Sequence, residues 1–215
     1  MLLIFDLDGT LFEAKDVVFK ADHALLEDLG LPPMNDEELA RAVGRGIYDF
    51  LRTILPAGFD IEAARSRYLE IVNDIIKDCG TLFPGAAEAL ASLNEDGHEI
   101  VICTNSPEEY TKTVLEHTGV MALVARFVCA EDYGTKAAAV YSLLKPGINA
   151  VMIGDTHGDL EAARANNMPT VAAMYGYGNK SMLADADFFA ASPEEIVSCI
   201  RLLNRQNQNF AVLRG

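Results

Sequence analysis

The sequence is short of basic residues, and this shortage excludes several classes of function. It carries 17 Lys and Arg against 32 Asp and Glu, which gives a formal net charge of −15 at pH 7. Proteins that bind nucleic acid without sequence preference need Lys and Arg to neutralise phosphates. Anionic membranes likewise attract basic rather than acidic surfaces. We therefore expect neither nucleic acid nor a membrane among the partners of this protein.

Long apolar runs, a basic leader and paired cysteines are also missing. No apolar run approaches the roughly 20 residues that a membrane-spanning helix needs. Residues 1–5 lack the basic start of a signal peptide and are followed at once by an acid. The 4 cysteines are scattered and form no C-x-x-C pair, which is typical of reduced thiols in the cytosol. The sequence therefore predicts a cytoplasmic, globular protein.

Short apolar runs alternate with helix-like stretches over most of the 215 residues. Each run ends at polar residues or glycine, as do the buried strands of a parallel sheet. The predicted strands are residues 2–5, 99–103, 126–129, 150–153, 169–173 and 187–189. The predicted helices between and after them are residues 86–95, 107–117, 136–144, 159–166 and 193–204. This order favours an α/β fold with a doubly wound parallel sheet.

The alternation breaks between about residue 13 and residue 81, where one helical pattern follows another. A simple crossover between two parallel strands needs far fewer residues than this. We therefore predict a helical insertion over residues 14–80. Residues 1–13 and 81–215 then form the sheet domain, and the two chain crossings between the modules could act as a hinge.

Polar residues follow the predicted strands at the points where they end. Asp6 and Asp8 follow the first strand, Thr104 and Asn105 the second, and Asp155 the fourth. Ligands of open α/β sheets bind beyond the carboxyl ends of the strands. We expect these side chains, together with Lys136 and Asp159 at the starts of two helices, to converge on one rim of the sheet.

Asp6 and Asp8 are the most informative pair among these polar residues. Residues two apart on an extended chain point to the same side, so both carboxylates would face one site. Two carboxylates so close repel each other unless a cation or a shared proton compensates. With Asp155 and Asp159 nearby, Mg²⁺ is the natural cation, and one carboxylate could attack a phosphoryl group. An isolated pair of this kind is more often a solvated acidic turn, so the hypothesis depends on the joint occurrence of all these residues.

The motifs 6–10 (DLDGT), 104–105 (TN), Lys136 and 154–159 (GDTHGD) resemble those of the haloacid dehalogenase-like hydrolases, in order and in strand context. The resemblance covers essentially the whole chain. It implies a Rossmann-like catalytic core, and the insertion at residues 14–80 looks like the α-helical cap of that superfamily. Residues 83–86, 176–178 and 186–188 are similar to stretches of its phosphoglycolate phosphatase and β-phosphoglucomutase group. One departure is Ala137, where the family commonly has Pro after the lysine.

The resemblance implies a role for each residue of the catalytic set. Asp6 would be the nucleophile and form an aspartyl-phosphate. Asp8 would act as general acid toward the leaving alcohol and then as general base toward water. Lys136 would neutralise the phosphoryl oxygens while the carboxylate approaches them.

The same resemblance implies binding roles. Thr104 and the backbone N–H of Asn105 would hold phosphate oxygens near a helix start. Mg²⁺ would be held by Asp6, Asp8 through its carbonyl, Asp155 and Asp159. Arg45 lies between two glycines of the insertion and could bind the far end of the substrate, as a planar cation suits a carboxylate or second phosphate. An exposed arginine in a linker explains Arg45 equally well.

The favoured function is thus a Mg²⁺-dependent phosphatase for a small phosphorylated metabolite such as phosphoglycolate, acting as a monomer or homodimer. A sugar phosphomutase on the same scaffold is one alternative. Thr10 favours the phosphatase, because the comparable mutases usually have Val at that position. A non-catalytic binding or regulatory protein is the other alternative, although a binder has no need of the set formed by Asp6, Asp8, Lys136 and Asp155.

Overall fold

The computed structural model describes the backbone of residues 1–40 and 46–212. The strands are β1 (Leu2–Phe5), β2 (Glu99–Thr104), β3 (Arg126–Cys129), β4 (Ala150–Gly154), β5 (Thr170–Ala173) and β6 (Phe188–Ala190). The α-helices of the described residues are α1 (Ala14–Asp28), α2 (Asp36–Ala40), α3 (Ile47–Ile54), α4 (Ile61–Cys79), α5 (Ala86–Glu95), α6 (Glu108–His117), α7 (Lys136–Leu143), α8 (His157–Ala165) and α9 (Pro193–Val212).

The strands form one six-stranded parallel sheet in the order β3-β2-β1-β4-β5-β6. β1 lies in the middle, with Leu2 paired to Glu99 of β2 on one side and to Ala150 of β4 on the other. Because side chains alternate along a strand, Leu3 and Phe5 pack into the core on one face while the intervening residues of β1 pack into a second core on the other. The predicted doubly wound α/β fold is confirmed.

The predicted elements differ from the observed ones mainly at their ends. β2 and β4 each extend one residue further than predicted, to Thr104 and Gly154, and the last strand lies one residue later. α8 begins at His157 rather than at Asp159, because Thr156 caps the helix and places Asp159 in its first turn. α9 extends to Val212, well past the predicted end at residue 204.

The elements that the structure describes in the predicted insertion are all helices, namely α1, α2, α3 and α4, joined by short irregular segments. α4 packs along α1 on one side and against α6 of the sheet domain on the other. The two chain crossings pair with each other, since the Phe83 N–H donates to the Leu11 carbonyl at 2.9 Å and the Glu13 N–H to the Thr81 carbonyl at 3.0 Å. Residues 14–80 are therefore connected to the rest of the chain by two short backbone segments that lie side by side. The action of this insertion as a separate cap stays a prediction.

None of the helices of the described residues is both long enough and apolar enough to cross a bilayer.

Candidate active site

The carboxyl ends of β1, β2 and β4 open into one cavity of about 690 Å³. Asp6 and Asp8 follow β1, Thr104 ends β2, and Asp155 follows β4, as expected for polar residues at the same edge of a parallel sheet. All four residues, together with Asn105, line this cavity. The opposite wall comes from the helical insertion and includes Lys15, Val18, Phe19, Gly46, Ile47, Phe50, Tyr68 and Leu69.

Three buried carboxylates form a cluster at this rim. Asp6, Asp155 and Asp159 each contribute one oxygen, and these oxygens lie within 4.8 Å of one another. The residues expose only 6%, 1% and 0% of their surface, respectively. The structure therefore brings together the first and last acidic motifs of the sequence, although about 150 residues separate them.

Lys136 inserts its ammonium group between two of these acids. Its Nζ lies 2.7 Å from Oδ1 of Asp6 and 2.6 Å from Oδ1 of Asp159. The Thr135 hydroxyl accepts from the Ala138 N–H and fixes the start of α7, so the lysine is the first helical residue. Burial alone lowers the pKa of Lys136, but the two carboxylates outweigh it and raise the pKa above its usual value, so the lysine is charged.

The cluster is short of positive charge even with Lys136 in place. Burial and repulsion from Asp159 raise the pKa of Asp6 well above its usual range, and Lys136 only partly opposes this. Burial and the same repulsion raise the pKa of Asp155 to about 6. The three carboxylates, all almost completely buried, thus have one ammonium group among them. A hard divalent cation would supply the missing charge, and the all-oxygen donor set suits Mg²⁺.

Asp155 is held by a loop that follows β5. The N–H groups of Tyr177 and Gly178 donate to its Oδ2 at 2.7 Å and 3.2 Å, and the Thr10 hydroxyl lies 3.3 Å from its Oδ1. A Cβ atom on Gly178 would lie only 1.7 Å from the Asp155 carbonyl oxygen, so no larger residue fits at that position. The loop therefore fixes the orientation of this carboxylate.

Asp159 has two roles, because its two oxygens face different groups. Oδ2 accepts from the backbone N–H of Thr156 at 2.9 Å and from its hydroxyl at 2.7 Å, which forms a capping box at the start of α8. Oδ1 faces Lys136. The helix cap thereby orients the second oxygen toward the cluster.

The Asp8 carboxylate stands beside the cluster and has its own donors. The Ser106 hydroxyl donates to its Oδ2 at 2.5 Å, and the Tyr110 hydroxyl donates to its Oδ1 at 2.7 Å. Burial raises the pKa of Asp8, while the two hydroxyl donors and Lys136 lower it in part. The Asp8 carboxylate is thus held by two hydroxyl groups and is not one of the three clustered acids. Its backbone carbonyl as a ligand of the cation stays a prediction.

These observations coincide with a family match. Residues 3–173 match the model of the haloacid dehalogenase-like hydrolases. The chain belongs to this family. The predicted resemblance is confirmed, and with it the prediction that the protein is an enzyme.

Relatives of this hydrolase are phosphatases. A phosphoglycolate phosphatase of Aliivibrio fischeri is 25% identical over 209 residues, which cover 90% of this chain and 92% of the relative. A phosphoglycolate phosphatase of Caulobacter vibrioides is 29% identical over 188 residues, covering 81% and 79%. The crystal structure of a predicted phosphoglycolate phosphatase from Haemophilus somnus has a TM-score of 0.82 at 19% identity and covers 93% of this chain and 97% of its own. The sequence relatives support a phosphatase of this family, and the crystal structure confirms the fold.

Some site residues were not predicted from the sequence. The contacts of Ser106 and Tyr110 with Asp8 and of the 176–178 loop with Asp155 became visible only in the structure. A weak signal for the first pair was present, because residues four apart near a helix start share one face. Thr104 and Asn105 line the cavity as predicted. Arg45 lies outside the described residues.

Proposed function

We propose that this hydrolase is a Mg²⁺-dependent phosphatase that hydrolyses a small phosphomonoester through an aspartyl-phosphate on Asp6. The observation that carries the proposal is the juxtaposition of Asp6 with Lys136, Asp155 and Asp159 where Asp6 and Asp155 line the cavity. Phosphoryl transfer of this kind needs a nucleophilic carboxylate, a fixed ammonium group and a divalent cation. The cluster supplies the first two, and its lack of positive charge favours binding of the third.

Asp6 would act as the nucleophile. An oxygen of its carboxylate attacks phosphorus while the bond from phosphorus to the ester oxygen breaks. Lys136 neutralises charge on the transferred group, since its Nζ lies 2.7 Å from Asp6. Thr104 and Asn105, at the end of β2, line the same cavity and are placed to hold phosphoryl oxygens. The first half of the reaction leaves the phosphoryl group on Asp6.

Asp8 would move the protons in both halves of the reaction. In the first half its carboxyl group gives a proton to the leaving alkoxide, which departs as the alcohol. In the second half its carboxylate takes a proton from water, which attacks the phosphorus of the aspartyl-phosphate. The bond from phosphorus to Asp6 then breaks, which restores the Asp6 carboxylate and releases inorganic phosphate. Asp8 lies on the wall of the cavity, two residues from the nucleophile.

Asp6, Asp155 and Asp159, with the backbone carbonyl of Asp8, are the groups that would hold Mg²⁺. When bound, the ion offsets the repulsion between nucleophile and phosphoryl group. The deficit of positive charge in the cluster and the raised pKa values of Asp6 and Asp155 support this assignment.

The substrate would be a small phosphomonoester resembling phosphoglycolate. The relatives that carry this activity align with most of the chain. We propose further that residues 14–80 act as a cap over a core formed by residues 1–13 and 81–215, because Phe19, Phe50 and Tyr68 of the insertion wall the cavity opposite Asp6. Such a wall excludes water from the reacting groups. Arg45 stays a candidate for the far end of the substrate.

The test is phosphate release from phosphoglycolate, sugar phosphates, nucleotides and pyrophosphate, with Mg²⁺ and with EDTA. We expect a small phosphomonoester to be the best substrate and EDTA to abolish turnover. Asp6→Asn should remove activity without changing the far-ultraviolet circular dichroism spectrum. Asp16→Asn, at an exposed position on α1, is the matched control and should keep full activity.

Other outcomes would identify the alternatives. An Asp6→Asn variant that keeps most of its activity contradicts the covalent mechanism. Isomerisation of a sugar phosphate without phosphate release would indicate a mutase. Failure to release phosphate from any compound would indicate a binding protein.

A further inference from the structure

Tyr110 and Ser106 hold the Asp8 carboxylate from two sides. Each hydroxyl donates to a different oxygen, Ser106 to Oδ2 at 2.5 Å and Tyr110 to Oδ1 at 2.7 Å. Hydrogen bonds from neutral donors to a carboxylate are short and about twice as strong as those between neutral groups. A carboxylate bonded at both oxygens loses its freedom to rotate about the bond that carries it.

The two donors are themselves fixed in place. Tyr110 belongs to α6, exposes 4% of its surface, and packs edge-on against the Phe12 ring at a centroid distance of 6.3 Å. Ser106 lies one helical turn before Tyr110, and its backbone N–H donates to the Thr104 hydroxyl at 3.0 Å. The loop after β2 and the first turns of α6 therefore present both hydroxyls to Asp8 as a rigid pair.

Each carboxylate oxygen has two acceptor positions. Tyr110 and Ser106 each occupy one, so each oxygen of Asp8 keeps a position for exchanging a proton with a ligand. Asp8, Ser106 and Tyr110 all line the cavity. The arrangement fixes the direction of the carboxylate without blocking it.

We propose that Tyr110, together with Ser106, is a positioning residue that aims Asp8 at the leaving-group oxygen. This inference rests on the proposed function, in which Asp8 is the general acid and base. Tyr110 touches Asp8 and is not itself required to react. Removing its hydroxyl should therefore impair only the steps that depend on where Asp8 points.

The leaving group provides the readout. An alkyl phosphate has a basic leaving oxygen and needs proton transfer in the first half of the reaction, whereas p-nitrophenyl phosphate releases a weakly basic phenolate and does not. Because kcat/KM reports events up to the departure of the leaving group, Tyr110→Phe should lower kcat/KM for the alkyl ester by about 10- to 100-fold. The kcat/KM for p-nitrophenyl phosphate should stay within about 3-fold of the wild-type value, because the direction of the acid does not affect a step that needs no proton transfer. A purely structural defect would lower both values equally.

Four further variants calibrate the experiment. Asp8→Asn removes proton transfer completely. It should lower kcat/KM selectively for the alkyl ester, as Tyr110→Phe does, but by a larger factor. Ser106→Ala should act like Tyr110→Phe, and Ser106→Thr, which keeps the hydroxyl, should restore the wild-type ratio between the two substrates. Thr111→Val removes a completely buried hydroxyl from the next position of α6, one that lies near Cys129, and should leave that ratio unchanged.

The outcomes separate this inference from the proposed function. One outcome contradicts only the positioning role. In it, wild-type protein hydrolyses both esters and Asp8→Asn lowers kcat/KM mainly for the alkyl ester, but Tyr110→Phe changes neither kcat/KM or lowers both equally. The mechanism then stands. If Asp8→Asn itself shows no selectivity, the acid–base role of Asp8 fails and the inference fails with it. If wild-type protein hydrolyses neither ester, the proposed function is overturned at the first measurement.

Discussion

Lys136 and Asp6 form an ion pair, 2.7 Å long, in which neither residue exposes more than 8% of its surface. The ammonium is shared with Asp159 at 2.6 Å. Removing one partner of such a buried pair leaves its acids without a counter-charge, which commonly destabilises a protein by about 3–5 kcal/mol. The ion pair therefore ties the stability of the fold to the groups that we place in catalysis.

Lys136→Met should abolish activity and lower the free energy of unfolding by about 3–5 kcal/mol at pH 8. Because the pKa of Asp6 is already raised in the presence of the lysine, its carboxyl would bind a proton readily in the variant. The loss should therefore be smaller at pH 5 than at pH 8, as measured by urea unfolding. Lys112→Met, at an exposed residue with a loose 3.9 Å contact to Glu116, is the control. An equal loss at both pH values would contradict the role of Lys136 as counter-charge.

Mg²⁺ should stabilise the protein in the absence of substrate. A ligand that binds only the folded state at 100 times its dissociation constant adds about 2.7 kcal/mol. We expect Mg²⁺ to raise the midpoint of thermal unfolding and EDTA to reverse the shift. Asp155→Asn removes one of the three clustered carboxylates and should remove the response, while Asp74→Asn, at an exposed position on α4, should keep it. A shift that survives in Asp155→Asn would place the ion elsewhere.

Asp22, on α1, should make stability fall as the pH rises. The residue is completely buried, and burial raises its pKa to about 7, with the Tyr68 hydroxyl lowering it in part. Between about pH 4 and pH 7 the folded state therefore holds a proton that the unfolded state has lost. Stability is greatest below about pH 4 for this group and decreases by roughly 4 kcal/mol up to about pH 7.

The variant that tests this is Asp22→Asn, which cannot lose a proton. It should flatten the decline and be more stable than the wild type at pH 8, as measured by chemical denaturation across the pH range. Asp16→Asn, exposed on the same helix, should keep the wild-type profile. If Asp22→Asn follows the wild-type curve, the carboxyl group is ionised throughout.

Replacement by alanine should have opposite effects on stability at Gly178 and at Gly158. A Cβ at Gly178 would lie 1.7 Å from the Asp155 carbonyl oxygen, so Gly178→Ala should displace the 176–178 loop. We expect a loss of more than about 2 kcal/mol in stability and a severe loss of activity. At Gly158, inside α8, the nearest atom would lie at 3.6 Å, and Gly158→Ala should be neutral or stabilising by up to about 1 kcal/mol. Equal effects of the two substitutions in urea unfolding would contradict the close approach at Gly178.

The sheet and the acidic cluster were predictable because local patterns carry them. An apolar run that stops at an acid predicts both the strand and the side chain at its end, as Phe5 followed by Asp6 shows. The family motifs then supplied the order of Asp6, Lys136, Asp155 and Asp159. The ends of elements were less accurate, since caps such as Thr156 decide where a helix begins.

The contacts around the acids could not be predicted in the same way. Tyr110 lies 102 residues from Asp8 in the sequence, and the N–H donors of Tyr177 and Gly178 follow Asp155 by more than 20 positions. Such contacts depend on how α6 and the loop after β5 pack in three dimensions. No spacing rule connects a tyrosine in one helix to a carboxylate at the end of a distant strand.

The central place of β1 has a consequence for the order in which the protein is assembled. The neighbours of β1 are β2 and β4, whose pairing residues Glu99 and Ala150 are translated about 100 and 150 residues after Leu2. The contact of α1 with α4 spans a much shorter length of chain and can form on the ribosome while β1 still lacks both neighbours. Nascent chains that stall after α4 and before β2 can therefore carry paired α1 and α4 helices beside an exposed, wholly apolar strand. That species is the one for which chaperone binding should matter most.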